Sequence, residues 1–192
     1  KRKIRELVYN LNIDQYQAQD MTLLAEHITE GGITEMAYQQ EPDSVLWCVR
    51  SDGTLLGFTY ARAEEVVGWH RHVVGGAFSS GNAVVESVAS IPTDANEDEL
   101  YVIVKRTING TTRRYVEYLT LFDYGTDQTD AFYVDSGLTY SGSAATVITG
   151  LDHLEGQSVT ILADGSTHPN KTVSGGAITL ERSSTKVHVG LG

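Results

Sequence analysis

Cysteine is almost absent from this sequence, with one residue among 192. That scarcity excludes an intrachain disulfide and a zinc site built from cysteines. The single residue, Cys48, lies in the apolar run Val45–Val49, a pattern typical of a strand. We therefore interpret Cys48 as a small buried core residue and not as a nucleophile. One cysteine also suits a protein made in a reducing cytoplasm.

Long apolar runs are missing too. No segment approaches the roughly 20 apolar residues that cross a bilayer, and no stretch resembles a signal peptide. We therefore expect no membrane partner. The sequence opens Lys1-Arg2-Lys3 without an initiator methionine, and we expect it to be an excerpt of a longer chain.

Basic residues are scarce: 14 Lys and Arg face 25 Asp and Glu, a formal net charge of −11. This surplus disfavours binding to phosphate backbones and indicates a solvated acidic surface. The doublet Arg113-Arg114 could touch nucleic acid, but in an acidic chain we interpret it as half of a cross-strand ion pair.

Glycine and tyrosine are plentiful, with 19 and 10 residues, and they favour strands and turns. From Gly32 to Phe122 the pattern predicts serial antiparallel hairpins. Ser51-Asp52-Gly53 is a short hairpin connection, and Asn109-Gly110 is the strongest hairpin signal because a type I′ turn needs positive φ at both residues. The fold class is therefore mainly β, with a sandwich, a barrel or propeller blades as the candidate architectures.

One short helix is predicted after Asp20. This residue can cap a first turn, and Leu23, Leu24 and Ile28 would form an apolar face. Gly31-Gly32 would end the helix.

A boundary between two domains is predicted in the polar, turn-rich segment Tyr124–Asp130. Residues 1–125 then form a propeller-like β domain, part of a larger one. Residues 126–192 form a small second all-β domain, in which short apolar runs alternate with glycine-rich turns. The runs are Ala145–Ile148, Val159–Ala163, Ala177–Leu180 and Val187–Leu191.

The sharpest candidate for chemistry is His70-Arg71-His72. On a strand, residues i and i+2 share a face, so the two imidazoles could start a zinc or nickel site. No third candidate ligand lies nearby in the sequence at a spacing typical of a metal site. We therefore interpret the motif as two histidines hydrogen-bonded beside Trp69.

Other candidate motifs are weaker. The acidic segments Glu64-Glu65 and Asp94–Glu99 lack the pattern of a calcium loop and indicate solvated turns. No serine lies in a Gly-x-Ser-x-Gly elbow, and no glycine pair matches a phosphate-binding loop. We therefore predict a non-enzymatic protein with no catalytic residue, no cofactor and no metal site.

The first part of the chain resembles the tail-tube, or nozzle, proteins of short-tailed bacteriophages, which are also called DNA-stabilising hub proteins. The resemblance covers roughly residues 20–122. The segments that carry it are Met36–Trp47, Gly57–Tyr60, Val66–His72, Glu86–Pro92 and Val104–Gly110. Proteins of this family form a ring at the tail tip through which DNA passes, and part of each subunit is a β-propeller.

The second part is similar to a small β-barrel found in phage tail proteins and to the first catalytic-cysteine half-domain of ubiquitin-activating enzymes. The segments that carry this resemblance are Tyr133–Gly142, Leu151–Val159, Asp164-Gly165, Val173–Leu180 and Val189–Leu191. In that enzyme family the module is a scaffold. With no cysteine after Cys48, the resemblance implies no thioester chemistry here.

The resemblance implies a non-catalytic structural component of a phage tail, made in the bacterial cytoplasm and located in the virion. The expected partners are other copies of the chain, phage tail proteins and transiting DNA that is not bound specifically. The alternative is a host-surface or carbohydrate-binding module of the tail. Such a module would use exposed aromatic residues, for instance Trp69, Phe78 or Tyr140, as a sugar-stacking platform.

Overall fold

The computed structural model describes residues 2–94 and 97–192, and these residues are mostly β-strand. The prediction of a mainly β fold is confirmed. The strands up to residue 92 are β1 (Arg5–Asn10), β2 (Gln15–Asp20), β3 (Ile33–Gln39), β4 (Val45–Arg50), β5 (Leu55–Ala61), β6 (Val66–His72), β7 (Ala77–Phe78), β8 (Gly81–Asn82) and β9 (Val84–Pro92).

Six more strands follow in the described residues. They are β10 (Asp98–Ile108), β11 (Thr111–Tyr118), β12 (Asp135–Thr149), β13 (Ser158–Ala163), β14 (Ser166–Thr172) and β15 (Ala177–Leu191). Two single-turn 3₁₀ helices lie at Gln128–Asp130 and Asp152–Leu154.

The chain divides into two compact units. The first comprises Lys1–Val73 and Val85–Ile103, and the second comprises Val74–Val84 and Val104–Gly192. The boundary predicted at residues 125–126 lies inside the second unit. As a statement about separately folding domains, that boundary stays a prediction.

The main sheet of the first unit is an antiparallel meander in the order β3-β4-β5-β6. The predicted Ser51-Asp52-Gly53 connection joins β4 to β5, with Val49 opposite Leu55. One face of the sheet packs a small core of Ile33, Cys48 and Leu56. The hairpin β1–β2 forms a separate two-stranded sheet.

The prediction of a helix after Asp20 is wrong. Residues 21–31 instead form successive turns, and Asp20 itself ends β2. The Asp20 carboxylate accepts hydrogen bonds from the Thr22 amide at 3.0 Å and the Thr22 hydroxyl at 2.6 Å, which closes a local turn. Of the expected apolar face, Leu23 and Leu24 are exposed, and Ile28 is half-buried against the core of the main sheet. Thr22 and Ala25 are buried. Tertiary packing therefore buries only one of the three residues that hydrophobicity indicated.

The hairpin predicted at Asn109-Gly110 is confirmed. The two residues join β10 to β11 with φ values of 46° and 71°, the left-handed conformation that a type I′ turn requires. Strands β11, β10 and β9 follow one another in a three-stranded sheet.

One buried position of β10 carries a charge. Arg106 is fully buried, and its Nε donates to the Gly75 carbonyl at 2.7 Å. Its guanidinium also forms a two-point ion pair with the Glu117 carboxylate of β11. These contacts satisfy a cation that could not otherwise remain buried.

The second unit contains a four-stranded antiparallel sheet in the order β12-β15-β13-β14. The predicted apolar runs supply its core, and the runs at residues 177–180 and 187–191 are both parts of the long strand β15. Tyr115 of β11 packs against this core and donates to the His153 carbonyl at 2.9 Å.

Candidate functional site

Strand β6 places His70 and His72 on one face of the sheet, as their i and i+2 spacing predicts. The Nδ1 atom of His70 lies 2.7 Å from Nε2 of His72, so the two rings form a hydrogen bond with each other. The His70 ring lies over Gly57 of β5, its cross-strand partner. A Cβ atom at Gly57 would overlap this ring and lie 2.7 Å from its Nδ1, so only glycine leaves room for the imidazole.

The indole of Trp47 flanks the histidine pair. Its ring centroid lies 5.8 Å from that of His70 and 5.0 Å from that of His72. Trp47 lies opposite Gly57, which in turn lies opposite His70, so the sheet register aligns the three residues. Trp47 Nε1 donates to Gln39 Oε1 at 2.8 Å, which fixes the indole in this place.

The expectation that Trp69 lies beside the histidines is corrected. Trp69 directly precedes His70 on β6, so its side chain points to the opposite face of the strand. There it stacks on Phe58 at a centroid distance of 4.6 Å and donates to the Met21 carbonyl at 2.9 Å. The tryptophan that contacts the histidine pair is Trp47, two strands away on β4. Sequence reasoning missed it because cross-strand register cannot be read from one strand.

Burial lowers the pKa of His70, which favours the neutral imidazole. In the part of the chain that the structure describes, no group of three or more His, Cys, Asp and Glu side chains is arranged to hold a metal ion. The histidines here fill the space above Gly57 and hydrogen-bond each other. This geometry is that of a packed polar pair.

Cys48 is buried in the core of the main sheet, as predicted. Burial raises the pKa of its thiol to about 12, so the sulfur stays protonated and unreactive at neutral pH.

The acidic and basic motifs lie in turns or on strands, where Asp98 and Glu99 at the start of β10 are half-buried. Glu64 and Glu65 form part of the turn between β5 and β6, where they are exposed. In the Asp94–Glu99 segment, residues 95 and 96 lie outside the described residues, and Asp98 accepts a hydrogen bond from the Gln40 amide at 2.7 Å. Arg113 and Arg114 are exposed on β11.

Each of the three aromatic residues proposed for sugar stacking has a local partner. Trp69 stacks on Phe58, and the ammonium of Lys105 lies 4.4 Å from the centre of the Phe78 ring. Tyr140 packs against the core of the second unit, and its hydroxyl donates to the Ser143 carbonyl at 2.6 Å.

A different aromatic cluster is exposed in the second unit, and sequence reasoning missed it. It consists of Phe122, Tyr124 and Tyr133, with edge-on ring contacts at 5.7 Å and 5.9 Å. Phe122 is 84% exposed, and Tyr133 donates to its carbonyl at 3.2 Å. The signal in the sequence was two aromatic residues at the start of a polar segment, without a strand to bury them.

Apolar side chains are also exposed on the β1–β2 hairpin. On one of its faces Leu7 lies opposite Ala18, and Tyr9 lies opposite Tyr16 at a ring distance of 5.2 Å. Leu7 and Tyr16 are about 70% exposed. The turn that joins the strands adds Leu11 and Ile13.

The end of β2, the turns that follow it and strand β6 line a cleft of about 390 Å³. Its walls are mainly apolar and include Met21, Leu23, Leu24, Val67 and Trp69. Such an accumulation of exposed apolar residues is typical of an interaction surface.

Comparison with known proteins adds no family. No protein-family model matches the chain, and no curated protein matches it either. Among the described residues, no helix has the length and apolar character that crossing a bilayer requires.

Proposed function

We propose that this chain is a non-catalytic structural component of a phage tail that takes part in a nozzle or tube assembly. The proposal begins from the resemblance of residues 20–122 to tail-tube proteins. The observation that carries it is the exposed apolar surface of the β1–β2 hairpin and of the neighbouring cleft. An acidic chain that keeps such a surface in water gains stability when another molecule covers it.

The arrangement of strands supports the same proposal. The β3–β6 meander has the strand number and antiparallel order of a propeller blade, and we propose that it is one. Its edge strands β3 and β6 then pair with, or are covered by, neighbouring elements of the assembly. We propose likewise that the sheet of β12 to β15 belongs to a small barrel.

The side chains that could have carried chemistry have packing roles, which supports a non-catalytic protein. His70 and His72 bond each other over Gly57, and Cys48 is a buried, protonated thiol. A general base or nucleophile must be free to reach a substrate.

Location in the virion is tested by immunogold electron microscopy. Antibodies raised against this chain should label the tail of particles from the virus whose genome encodes it, and the pre-immune serum should not. Label on the capsid, or label that stays with unassembled lysate protein, would refute the proposal.

Contact with DNA is tested separately. A conduit wall should let DNA slide, and a chain of net charge −11 releases few counterions on meeting phosphates. We expect no measurable shift of duplex DNA in a mobility assay at physiological salt. Tight, salt-sensitive binding would argue against a conduit role.

The aromatic cluster Phe122–Tyr124–Tyr133 favours a second candidate, a carbohydrate-binding module of the tail. Exposed rings can stack on sugar faces, and the two tyrosines add hydroxyls. A glycan array would detect such binding, and the variant Phe122→Ala should abolish it while the control Val116→Ala leaves it unchanged. Absence of any glycan signal for the unaltered chain would remove this candidate.

A further inference from the structure

We propose that Asn109, at the tip of the β10–β11 hairpin, is a site of spontaneous deamidation, which converts its carboxamide into the carboxylate of aspartate or isoaspartate. The reaction needs only the chain and water as reactants. The inference goes beyond the proposed function and is independent of it, because it depends on the chemistry of one turn and not on where the protein acts.

The chemistry joins two neighbouring groups, and asparagine is one of the chemically labile residues of proteins. The backbone nitrogen of Gly110 attacks the side-chain carbon Cγ of Asn109, which forms an N–Cγ bond. The Cγ–Nδ2 bond breaks, and the former backbone amide proton leaves with Nδ2 as ammonia. Water then opens the resulting succinimide ring at either carbonyl carbon, which gives aspartate or isoaspartate. Atoms balance without an oxidant or a reductant, because an amide and water become a carboxylic acid and ammonia.

Both reacting groups are accessible. Asn109 and Gly110 are exposed, and a Cβ atom placed on Gly110 would meet nothing within 4 Å. In the described part of the chain, neither the Gly110 amide nor the Asn109 carboxamide has a hydrogen-bond partner. Glycine also has no side chain of its own that could hinder the attack on Cγ. Solvent and nucleophile therefore both have access to the Asn109 side chain.

Opening of the turn controls the rate. Asn109 and Gly110 hold left-handed φ values of 46° and 71°, and the attack requires rotation about the Asn109 Cα–C bond until the Gly110 nitrogen faces Cγ. Both residues lie outside β10 and β11, and a hairpin tip opens at a lower free energy than a core strand. Left-handed φ is unfavourable for a residue with a Cβ, which further favours the opening. We therefore expect amide loss that is measurable in the folded chain and faster in the unfolded one.

Asn82 and Asn170 lack this combination and serve as reference asparagines. Asn82 precedes Ala83, which is buried and whose amide donates to a backbone carbonyl at 3.1 Å. Asn170 lies within strand β14 and precedes Lys171, which pairs with β13. In both cases the following residue has a side chain, and its backbone is held by a hydrogen bond or by strand pairing. Asn109 should therefore lose its amide first among the three.

The two products should differ in their effect on the fold. Aspartate keeps the normal backbone and, like asparagine, tolerates left-handed φ. Isoaspartate carries the backbone through its side chain, which adds an extra carbon atom to the main chain and disrupts the two-residue turn that sets the strand register. Strand β11 carries Glu117, the ion-pair partner of the fully buried Arg106. Loosening of the hairpin would leave a buried cation without its partner, so isoaspartate should destabilise the second unit.

Peptide mapping tests the proposal. The unaltered chain is incubated in mildly alkaline buffer, digested with trypsin and compared with a zero-time sample. Cleavage after Arg106 and Arg113 releases peptide 107–113, in which Asn109 is the sole asparagine. Chromatography with mass spectrometry separates the asparagine, aspartate and isoaspartate forms of this peptide. We expect amide loss about tenfold faster at Asn109 than at the two reference asparagines, a difference in barrier of about 1.4 kcal/mol, with isoaspartate among the products.

Two variants separate the parts of the proposal. Gly110→Asn keeps a residue that tolerates the turn but adds a side chain, so it should slow the loss at Asn109 several-fold, with fragment ions locating the modified residue. Asn109→Asp should keep nearly the urea midpoint of the unaltered chain. The isoaspartate form, isolated by chromatography after incubation, should have a lower midpoint.

The contrary outcomes are equally specific. Equal amide loss at all three asparagines, loss at Asn109 only in denaturing urea, or an unchanged rate in Gly110→Asn would refute the site. An isoaspartate form with the urea midpoint of the unaltered chain would refute the coupling of this turn to the buried Arg106.

Discussion

On strand β6, His70 Nδ1 and His72 Nε2 lie 2.7 Å apart and form one hydrogen bond. One of these nitrogens must donate the proton and the other must accept it, so two fully protonated rings cannot keep the bond. Burial lowers the pKa of His70, so this ring resists a positive charge.

Mild acid should therefore weaken the fold. The pKa of His70 is lower in the folded chain than its ordinary value of 6.5, so the unfolded chain binds more protons as pH falls through that value. The contribution of the neutral His70 ring to folding stability is therefore full above pH 6.5 and declines below it. The urea midpoint should be lower at about pH 5.5 than at about pH 7.5.

Two variants test whether His70 causes this pH dependence. His70→Gln should reduce the pH dependence, and the exposed His27→Gln should leave it unchanged. Asp20 and Asp52, whose pKa values are lowered by hydrogen bonds from Lys3 and Arg50, lose their contributions only below their ordinary value of 3.8. An identical pH profile for His70→Gln and the unaltered chain would contradict the assignment.

Gly57→Ala should destabilise the first unit by about 1–3 kcal/mol, because the new methyl group overlaps the His70 ring. The matched control is Gly68→Ala on the adjacent strand β6, where a Cβ meets nothing within 4 Å. Chemical denaturation measures both variants. Combining Gly57→Ala with His70→Ala should recover part of the loss, and equal effects of the two single substitutions would refute the packing argument.

Gly110→Val should cost roughly 1 kcal/mol or more, since a β-branched residue resists the positive φ of this turn. A Cβ at Gly110 has open space around it, so the cost is conformational and not steric. Gly110→Asn provides the control because asparagine tolerates this conformation, and it should cost less. Equal midpoints for the two variants in urea would show that φ is not the cause.

Limited proteolysis should cut first near the predicted boundary Tyr124–Asp130. Residues 120–128 are all exposed and contain no strand, so their backbone is open to a protease. Chymotrypsin should cleave after Phe122 or Tyr124, and mass spectrometry identifies the fragments. The double variant Phe122→Gln and Tyr124→Gln should slow this cut. First cleavage inside β13 would contradict the prediction.

Hairpins were the most predictable part of this protein. Alternating strands around Asn109-Gly110 are specified within about twenty residues, and positive φ at both turn positions follows from the residue types. The second unit was predictable only in part. Its apolar runs were visible, but strand β14, with Pro169 and few apolar residues, was not among them.

Local chemistry in the sequence determined the mainly β class, the buried Cys48 and the shared face of His70 and His72. Those features depend on residues that are neighbours along the chain. The tertiary structure decided the rest: turns instead of a helix after Asp20, Trp47 instead of Trp69 beside the histidines, and a buried Arg106 satisfied by Gly75 and Glu117. Each of these depends on partners brought close by strand register and turns, whose energies exceed the local preference of a short segment.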